Sequence, residues 1–571
     1  MSFISRLVPH WLQAYPRKHL GADVTAGLIV AVLVIPQSMA YALLAGLPPQ
    51  FGLYVSILPV IAYALLGSSM VQAVGPVAVT AIMTYAVLSP LAVPGSAEYI
   101  VMAAALALLS GMMLLACGVL RLGFLSQLLS RPVVSGFISG SAVLIIISQL
   151  KHLLGVSPIG NSSGGVLVDL LSRLGQIHLP TLAISLAALG LLLVVRFWLA
   201  GWLSRAGLGE GKASFVIRLM PLVIVLVGTL AVVELNLDTA RGVAVVGSLQ
   251  AGLPALNFFL PSLEATRALI VPASLMTLIG MVQGITMAQA LAIKRRERID
   301  ANAELVGLGA ANVVAAFSGG MPVGGGLSRS AINVAAGAQT PLASIVGALA
   351  MIVVVAGAAG WFARLPLAVL AATIIMAAVS MIDLRALRQA WAYDRADALA
   401  LLGTAGGVLL FGLETGIGLG IMLSMATLLY RVSTPHIAVV GRLPGSEHFR
   451  NVERYAVETI PGVLFVRIDE RLFFGNLGAV EQRLKHELER IPEARDLVLV
   501  MSAVNLMDAT AVDVFGELNR DLAERGIRLH LAEVRGPVQD RLQRSALWSS
   551  LSGQVFLSAN AAFEQLRNPP T

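Results

Sequence analysis

One arginine stands apart in a sequence that keeps charge out of its apolar stretches. Between Leu305 and Ala363 the only charged residue is Arg329, which lies in Met321-Pro-Val-Gly-Gly-Gly-Leu-Ser-Arg-Ser330. A charged side chain at the centre of a bilayer costs roughly 2.5–3.5 kcal/mol even on the forgiving insertion scales, so its presence needs a reason. Snorkelling of a helix-end arginine towards headgroups is the bland account. The glycines at 324–326 and Pro322 oppose it, because they predict an extended stretch entering a half-helix near Ser328. Irregular backbone at that depth is tolerated only inside protein or beside a water-filled cavity. A half-helix beginning there aims free N–H groups and its positive dipole end into the cavity, and Arg329 adds a full charge. That chemistry attracts an anion. A second interruption, Val74-Gly75-Pro76-Val77-Ala78, is weak alone, since glycine and proline also precede ordinary helices. Two interrupted segments at corresponding places in two halves point to an inverted-repeat transporter with its site between the half-helices.

Other chemistries find no support. Gly324-Gly-Gly-Leu-Ser-Arg-Ser330 lacks the Gly-Lys-Ser/Thr that would make it a phosphate loop. The histidines at 10, 19, 152, 178, 436, 448, 486 and 530 fall outside the interiors of the predicted spans, and none is spaced with acids or cysteines as a metal site requires. Cys117 is the single cysteine and offers neither an intramolecular disulfide nor a metal cluster. No enzyme, metal or cofactor is expected, and a coupling ion (sodium or proton) is left open.

The elements that position these residues follow from composition. Of 571 residues, 57% are hydrophobic and 12% charged, about half the charge of a soluble protein, and the mean hydropathy is +0.83. Lipid must be part of the solvent. The net charge of +7 is read as an excess of Lys and Arg held on the cytoplasmic face, not as a nucleic-acid footprint. Apolar segments predict about fourteen helices: 24–45, 51–67, 76–90, 99–120, 132–150, 180–199, 215–235, 268–293, 303–318, 328–338, 341–360, 365–382, 396–411 and 414–431. With the N-terminus inside, the cytoplasmic loops receive Arg121, Arg131, Arg196, Arg205, Lys212, Arg218, the cluster Lys294, Arg295, Arg296 and Arg298, and later Arg385, Arg388, Arg395 and Arg431. This asymmetry puts both termini in the cytoplasm and the chain in the inner membrane. Residues 1–23 carry Arg6, Arg17, Lys18 and Asp23 without an apolar core, so a short cytoplasmic segment is expected and no cleavable signal. The membrane domain is placed at 24–432, a linker at 433–449 and a soluble domain at 450–571. That tail alternates predicted strands (Val463–Ile468, Leu497–Met501, Arg528–Val534) with predicted helices (Ala479–Arg490, Thr510–Arg525, Pro537–Leu547), an α/β domain of ordinary size. The fold class is therefore an all-α polytopic membrane domain followed by a cytoplasmic α/β domain.

The motifs, taken in order, resemble a known family. Ala22-Asp-Val-Thr-Ala-Gly-Leu-Ile, Ile35-Pro-Gln-Ser-Met-Ala-Tyr-Ala, Ala45-Gly-Leu-Pro-Pro, Phe51-Gly-Leu-Tyr, Gly75-Pro76, Asn302-Ala-Glu-Leu, Ala311-Asn312, Leu327-Ser-Arg-Ser330 and Glu414-Thr-Gly-Ile are similar to the SulP anion transporters. These are the sulfate permeases of bacteria and plants and the animal relatives that include pendrin and prestin. Gly462-Val-Leu-Phe-Val-Arg-Ile-Asp, Leu472-Phe-Phe-Gly-Asn and Met507-Asp-Ala-Thr resemble a STAS domain. The resemblance implies seven plus seven inverted helices in core and gate domains, a homodimer, an elevator movement, and a small anion held between the half-helices. Sulfate leads, with bicarbonate or a dicarboxylate behind it. The site it implies comprises Gln37 and Tyr41, Gly75 with backbone N–H groups of Val77 and Ala78, Gln283 and Thr286, and Leu327, Ser328 and Arg329.

One departure from the family pattern concerns coupling. Gly280-Met-Val-Gln-Gly-Ile-Thr-Met places Gln283 where many bacterial and plant members carry a carboxylate, and a neutral amide cannot shuttle a proton. In the STAS-like tail, Thr510 falls where soluble relatives carry a phosphorylatable serine. The competing structural account, that Thr510 caps the helix starting there, is preferred. A cytoplasmic protein partner through this domain is a further expectation. Alternative functions are a nucleobase permease of the same architecture, which the lack of a membrane carboxylate opposes, and an anion sensor that does not transport.

Overall fold

The protein is described from a computed structural model covering residues 9–13, 15–127, 130–156, 172–207, 209–247, 252–254, 256–357 and 362–568. The end of the expected helix 341–360 and the first eight residues lie outside this set, as do the side chains of Leu327 and Ser328. The chain divides into two compact units, residues 1–424 and 425–571.

The first unit is helical: α1 Leu20–Leu44, α2 Pro49–Tyr54, α3 Leu58–Leu66, α4 Ala78–Leu88, α5 Ala97–Val119, α6 Arg131–Leu154, α7 Leu179–Val194, α8 Glu210–Glu234, α9 Leu263–Arg295, α10 Ala301–Ser318, α11 Leu327–Ala335, α12 Leu342–Gly357, α13 Leu367–Met381, α14 Leu384–Tyr393 and α15 Arg395–Phe411. α16, Leu413–Ser433, carries the chain into the second unit. Among the described residues, nine helical stretches are long and apolar enough to cross a membrane, and three shorter apolar helices accompany them. The expected helix 51–67 is two helices, because the chain turns at Val55–Ile57 and Pro59 restarts it inside the first turn. The amphipathic α14 was not foreseen; its N-cap Asp383 accepts from the backbone N–H groups of Arg385 and Ala386.

Packing sorts the helices into two groups. α5 lies along α10, α3 along α10, α12 along α1 and α9 along α5, whereas α6 packs on α13 and α15, and α7 on α13. α1 touches α8 and α13, joining the groups. Inside the first group run two short strands, β1 Val74–Gly75 and β2 Gly324–Gly325, paired antiparallel with Val74 opposite Gly325 and Gly75 opposite Gly324.

The second unit holds a six-stranded sheet in the order β4-β3-β5-β6-β7-β8, where β3 is Ile437–Arg442, β4 Phe449–Asn451, β5 Val463–Ile468, β6 Asp496–Val500, β7 Arg528–Ala532 and β8 Val555–Phe556. β5 to β8 are parallel and β3 runs against β5. Side chains alternate faces. Leu464, Val466 and Ile468 join the core under α17 Leu477–Glu489 and α18 Ala509–Glu524, while Val463 and Phe465 face Phe449 and the Phe563 of a terminal helix, Ala559–Arg567. The expected linker 433–449 is thus not a linker throughout, since β3 lies within it. Its alternation Ile437-Ala-Val-Val-Gly was too short to separate from a loop.

Candidate substrate site

The two strands deliver two half-helices to one point. α4 has 11 residues and α11 has 9, so they are about 16 and 13 Å long, together close to one hydrocarbon thickness. Their N-caps, Val77 and Gly326, are extended and make no side-chain capping bond. The first N–H groups of each half-helix, at Ala78 and at Leu327 and Ser328, therefore keep donors that the helix itself cannot satisfy. The ends face each other closely: a Cβ built on Gly326 would lie 3.2 Å from a Val77 methyl.

Arg329 sits at this crossing and is 5% exposed. Its Nη1 donates to Val74 O at 3.2 Å and its Nη2 to Ser38 Oγ at 3.0 Å. Ser38 lies 3.0 Å from Ser56 Oγ, which donates to Gly52 O at 2.8 Å, so the hydroxyls form a chain leading away from the guanidinium. A side chain at Gly75 would displace the guanidinium, because a Cβ would stand 1.8 Å from Arg329 Nη1. Among the described residues no carboxylate pairs with Arg329. A buried cation without a counter-charge is costly by several kcal/mol, and a ligand anion removes that cost.

Beside the crossing lies a cavity of about 270 Å³, lined by Gln37, Tyr41 and Pro36 of α1, Ile332 of α11, and residues of α8 and α13 that include Thr373. That is room for about nine waters at ~30 Å³ each. Gln37 Nε2 donates to Tyr41 Oη at 2.9 Å, one turn along α1, which leaves the phenolic proton for another acceptor. Gln37 and Tyr41 line this cavity, while Gly75, Val77, Ala78 and Arg329, with the backbone of Leu327 and Ser328, meet at the crossing beside it. Gln283 is not among the cavity's lining residues. It lines a small apolar crevice with Val133, Phe137, Thr404 and Ile417, and Thr286 is exposed on the surface of α9.

Comparison with homologues and solved structures shows the family and the fold. Residues 20–404 match the sulfate permease family and residues 454–562 the STAS domain. The chain belongs to the sulfate permease family. A probable sulfate transporter of Mycobacterium tuberculosis H37Rv is 35% identical over 556 residues, 97% of this chain and 96% of its own. The chloroplastic sulfate transporter 4.1 of Arabidopsis thaliana is 31% identical, covering 97% of this chain and 82% of its own. Murine solute carrier 26 family member A9, an anion transporter solved in an inward-facing state, superposes with a TM-score of 0.88 at 22% identity, over 99% of this chain and 95% of that one. The transmembrane domain of the cyanobacterial bicarbonate transporter BicA gives 0.60 at 24%, over 71% of this chain and 98% of that one. The membrane-plus-STAS architecture of this permease is thereby shown.

Residues missed from sequence complete the site. Ser38 partners the guanidinium across the fold with Ser56 behind it, and Gln72, 2% exposed, has an amide with no hydrogen-bond partner among the described residues. A Cβ on Gly325 would lie 2.6 Å from that amide nitrogen. In the STAS domain, Thr510 does not cap its helix. α18 begins at Ala509, its cap is Asp508, which accepts from Ala511 N at 2.8 Å, and Thr510 is exposed on the first turn.

Proposed function

We propose that this permease carries sulfate or a closely related small oxyanion across the inner membrane by alternating access. The helix group holding α1, α4 and α11 moves as one body against the group holding α6, α7 and α13. One observation carries the reading: Arg329 is buried at the meeting of two uncapped half-helix N-termini, with only neutral partners among the described residues. An oxyanion there receives backbone N–H groups, the guanidinium and the Tyr41 hydroxyl, all in a site of low dielectric where such contacts are strong. Sulfate leads because the M. tuberculosis and Arabidopsis relatives are named for it; bicarbonate and dicarboxylates follow. Both termini in the cytoplasm and a homodimer complete the picture. With Gln283 neutral and away from the cavity, a carboxylate-driven proton symport through α9 is not part of the mechanism.

The test is uptake of radiolabelled sulfate, bicarbonate and succinate by proteoliposomes holding wild type or Arg329→Ala. Removing one partner of a buried charged contact costs about 2–5 kcal/mol. Arg329→Ala should therefore weaken the preferred anion at least about 30-fold while the protein stays monodisperse. Full-rate, saturable uptake by that variant would sink the assignment.

A further inference from the structure

α10 supplies two side chains that the transport reading has not used, and both hold the strands of the crossing. Glu304 is fully buried. Its Oε1 accepts from Ser68 N at 2.9 Å, Ser68 Oγ at 2.7 Å and Ser69 N at 2.7 Å, and its Oε2 accepts from Tyr63 Oη at 2.6 Å. These four donors match the acceptor-only valence of an ionised carboxylate. They fix the start of the extended segment that runs from Ser68 through β1 into α4. Asn312, 2% exposed, grips the other strand: its Oδ1 accepts from Val323 N and its Nδ2 donates to Val323 O, each at 2.9 Å. The amide thus pairs with both backbone groups of the residue just ahead of β2, as a neighbouring strand would.

Glu304 and Asn312 are eight positions apart on one helix, roughly 12 Å along its axis. That helix is itself rigidly seated, since a Cβ on Gly309 would come within 2.6 Å of Leu115 N on α5. Between the two anchors the strands are laced together by α11. Asn333 Nδ2 donates to Val71 O at 3.0 Å, Ala73 N donates to Ser330 Oγ at 3.0 Å, and Gly326 N donates to Ala73 O at 3.2 Å. Val74 O, the next carbonyl along, is the one that holds Arg329. A shift at Ser68–Ser69 or at Val323 is therefore transmitted through these bonds to the guanidinium and to both half-helix N-termini.

We infer that Glu304 and Asn312 are positioning residues of the anion site: α10 is a strut whose two side chains set the spacing of the crossing strands, and through it the affinity for the anion. This rests on the reading of the crossing as the anion site. Neither residue touches the cavity. Their substitution should alter binding of the anion more than turnover at saturation.

The experiment compares wild type with Glu304→Ala, Glu304→Gln, Asn312→Ala, Asn312→Asp and Arg329→Ala. Sulfate Kd is measured by calorimetry on full-length protein in detergent, and KM and kcat by uptake in proteoliposomes. Glu304→Gln keeps an Oε1 that accepts three of the four bonds, so its Kd should rise less than that of Glu304→Ala, for which a rise of at least tenfold is expected with kcat within about threefold. Asn312→Asp loses the donor to Val323 O and should also bind at least fivefold more weakly. If the alanine variants do not fold, Glu304→Gln and Asn312→Asp decide alone. A Kd within twofold of wild type in the folded variants overturns the strut while Arg329→Ala still binds at least about 30-fold more weakly. Wild-type binding by Arg329→Ala would instead overturn the underlying site.

Discussion

Replacing Gly75 by alanine tests the site with the smallest chemical change available. The added Cβ would meet Arg329 Nη1 at 1.8 Å and Cζ at 2.6 Å. Restoring an ordinary contact of at least about 3.4 Å means moving the guanidinium by roughly 1.6 Å. Its bonds to Val74 O at 3.2 Å and Ser38 Oγ at 3.0 Å cannot both survive that displacement. The clash is with the far end of a flexible side chain rather than with backbone, so the strands can stay paired and the helices packed. What changes is where the charge points. Hydrogen bonds to a charged group are worth about 1.5–3 kcal/mol, so loss of one such contact to the bound anion weakens Kd roughly 10- to 150-fold. The assay is calorimetric titration of sulfate into purified Gly75→Ala, paired with initial uptake rates in proteoliposomes. KM should rise by a similar factor. Gly190→Ala in α7, where a Cβ meets nothing within 4 Å, is the control and should behave as wild type. A Gly75→Ala protein that binds sulfate within twofold of wild type would refute the placement of Arg329 against this strand.

Two further outcomes are expected from the second unit. A chain ending after Ser433 lacks the whole six-stranded sheet but keeps every site residue, so it should bind sulfate with the wild-type Kd in detergent even where uptake or assembly falls; complete loss of calorimetric binding would contradict this. The STAS domain should lose stability as pH falls below about 6.5. His530 is buried, which lowers its pKa in the fold, so it takes up a proton less readily than in the unfolded chain, where histidine titrates near 6.5. Its Nδ1 accepts from Gln554 N at 3.0 Å and its Nε2 lies 2.9 Å from Asp496. Thermal melts of residues 434–571 between pH 8 and 5 should show the decline, and His530→Gln should flatten it; equal slopes would exclude this residue as the cause.

The half-helices were legible because their signal is local. Gly75-Pro76 and the glycines at 324–326 cannot continue a helix, and the observed starts, Ala78 and Leu327, fall within two residues of the expected ones. Arg329 was legible because nothing else charged surrounds it in the chain. Ser38 and Ser56 were not, since a serine in an apolar helix usually donates to its own backbone, and the bond from Arg329 to Ser38 spans 291 positions. Gln283 and Thr286 came from the resemblance alone, and the orientation of α9 turns the first towards α6 and α15 and the second outward. At Thr510 the helix starts one residue early. Asp508 and Thr510 are both competent caps by type, and the choice depends on Asp508 also accepting from Phe474 N at 3.0 Å, a contact invisible along the chain.

The buried charges of the membrane unit separate structural from functional residues by their unfilled valence. Asp23, fully buried, accepts from Gln339 N at 2.7 Å, Thr340 N at 3.0 Å, Thr340 Oγ1 at 2.7 Å and Tyr15 Oη at 3.1 Å. Glu304 likewise takes four donors. A carboxylate offers about four acceptor positions, so both acids are saturated by the protein and have nothing left for a ligand. Arg329 differs. Its guanidinium carries five N–H donors, two are bonded to neutral oxygens, and the charge itself is uncompensated among the described residues. Saturated carboxylates hold segments together; an unsaturated guanidinium beside two uncapped helix N-termini is the feature on which the proposed oxyanion site rests. The same asymmetry explains why one arginine in a stretch otherwise free of charge points to the proposed site, whereas the two acids that brace the fold give no such signal.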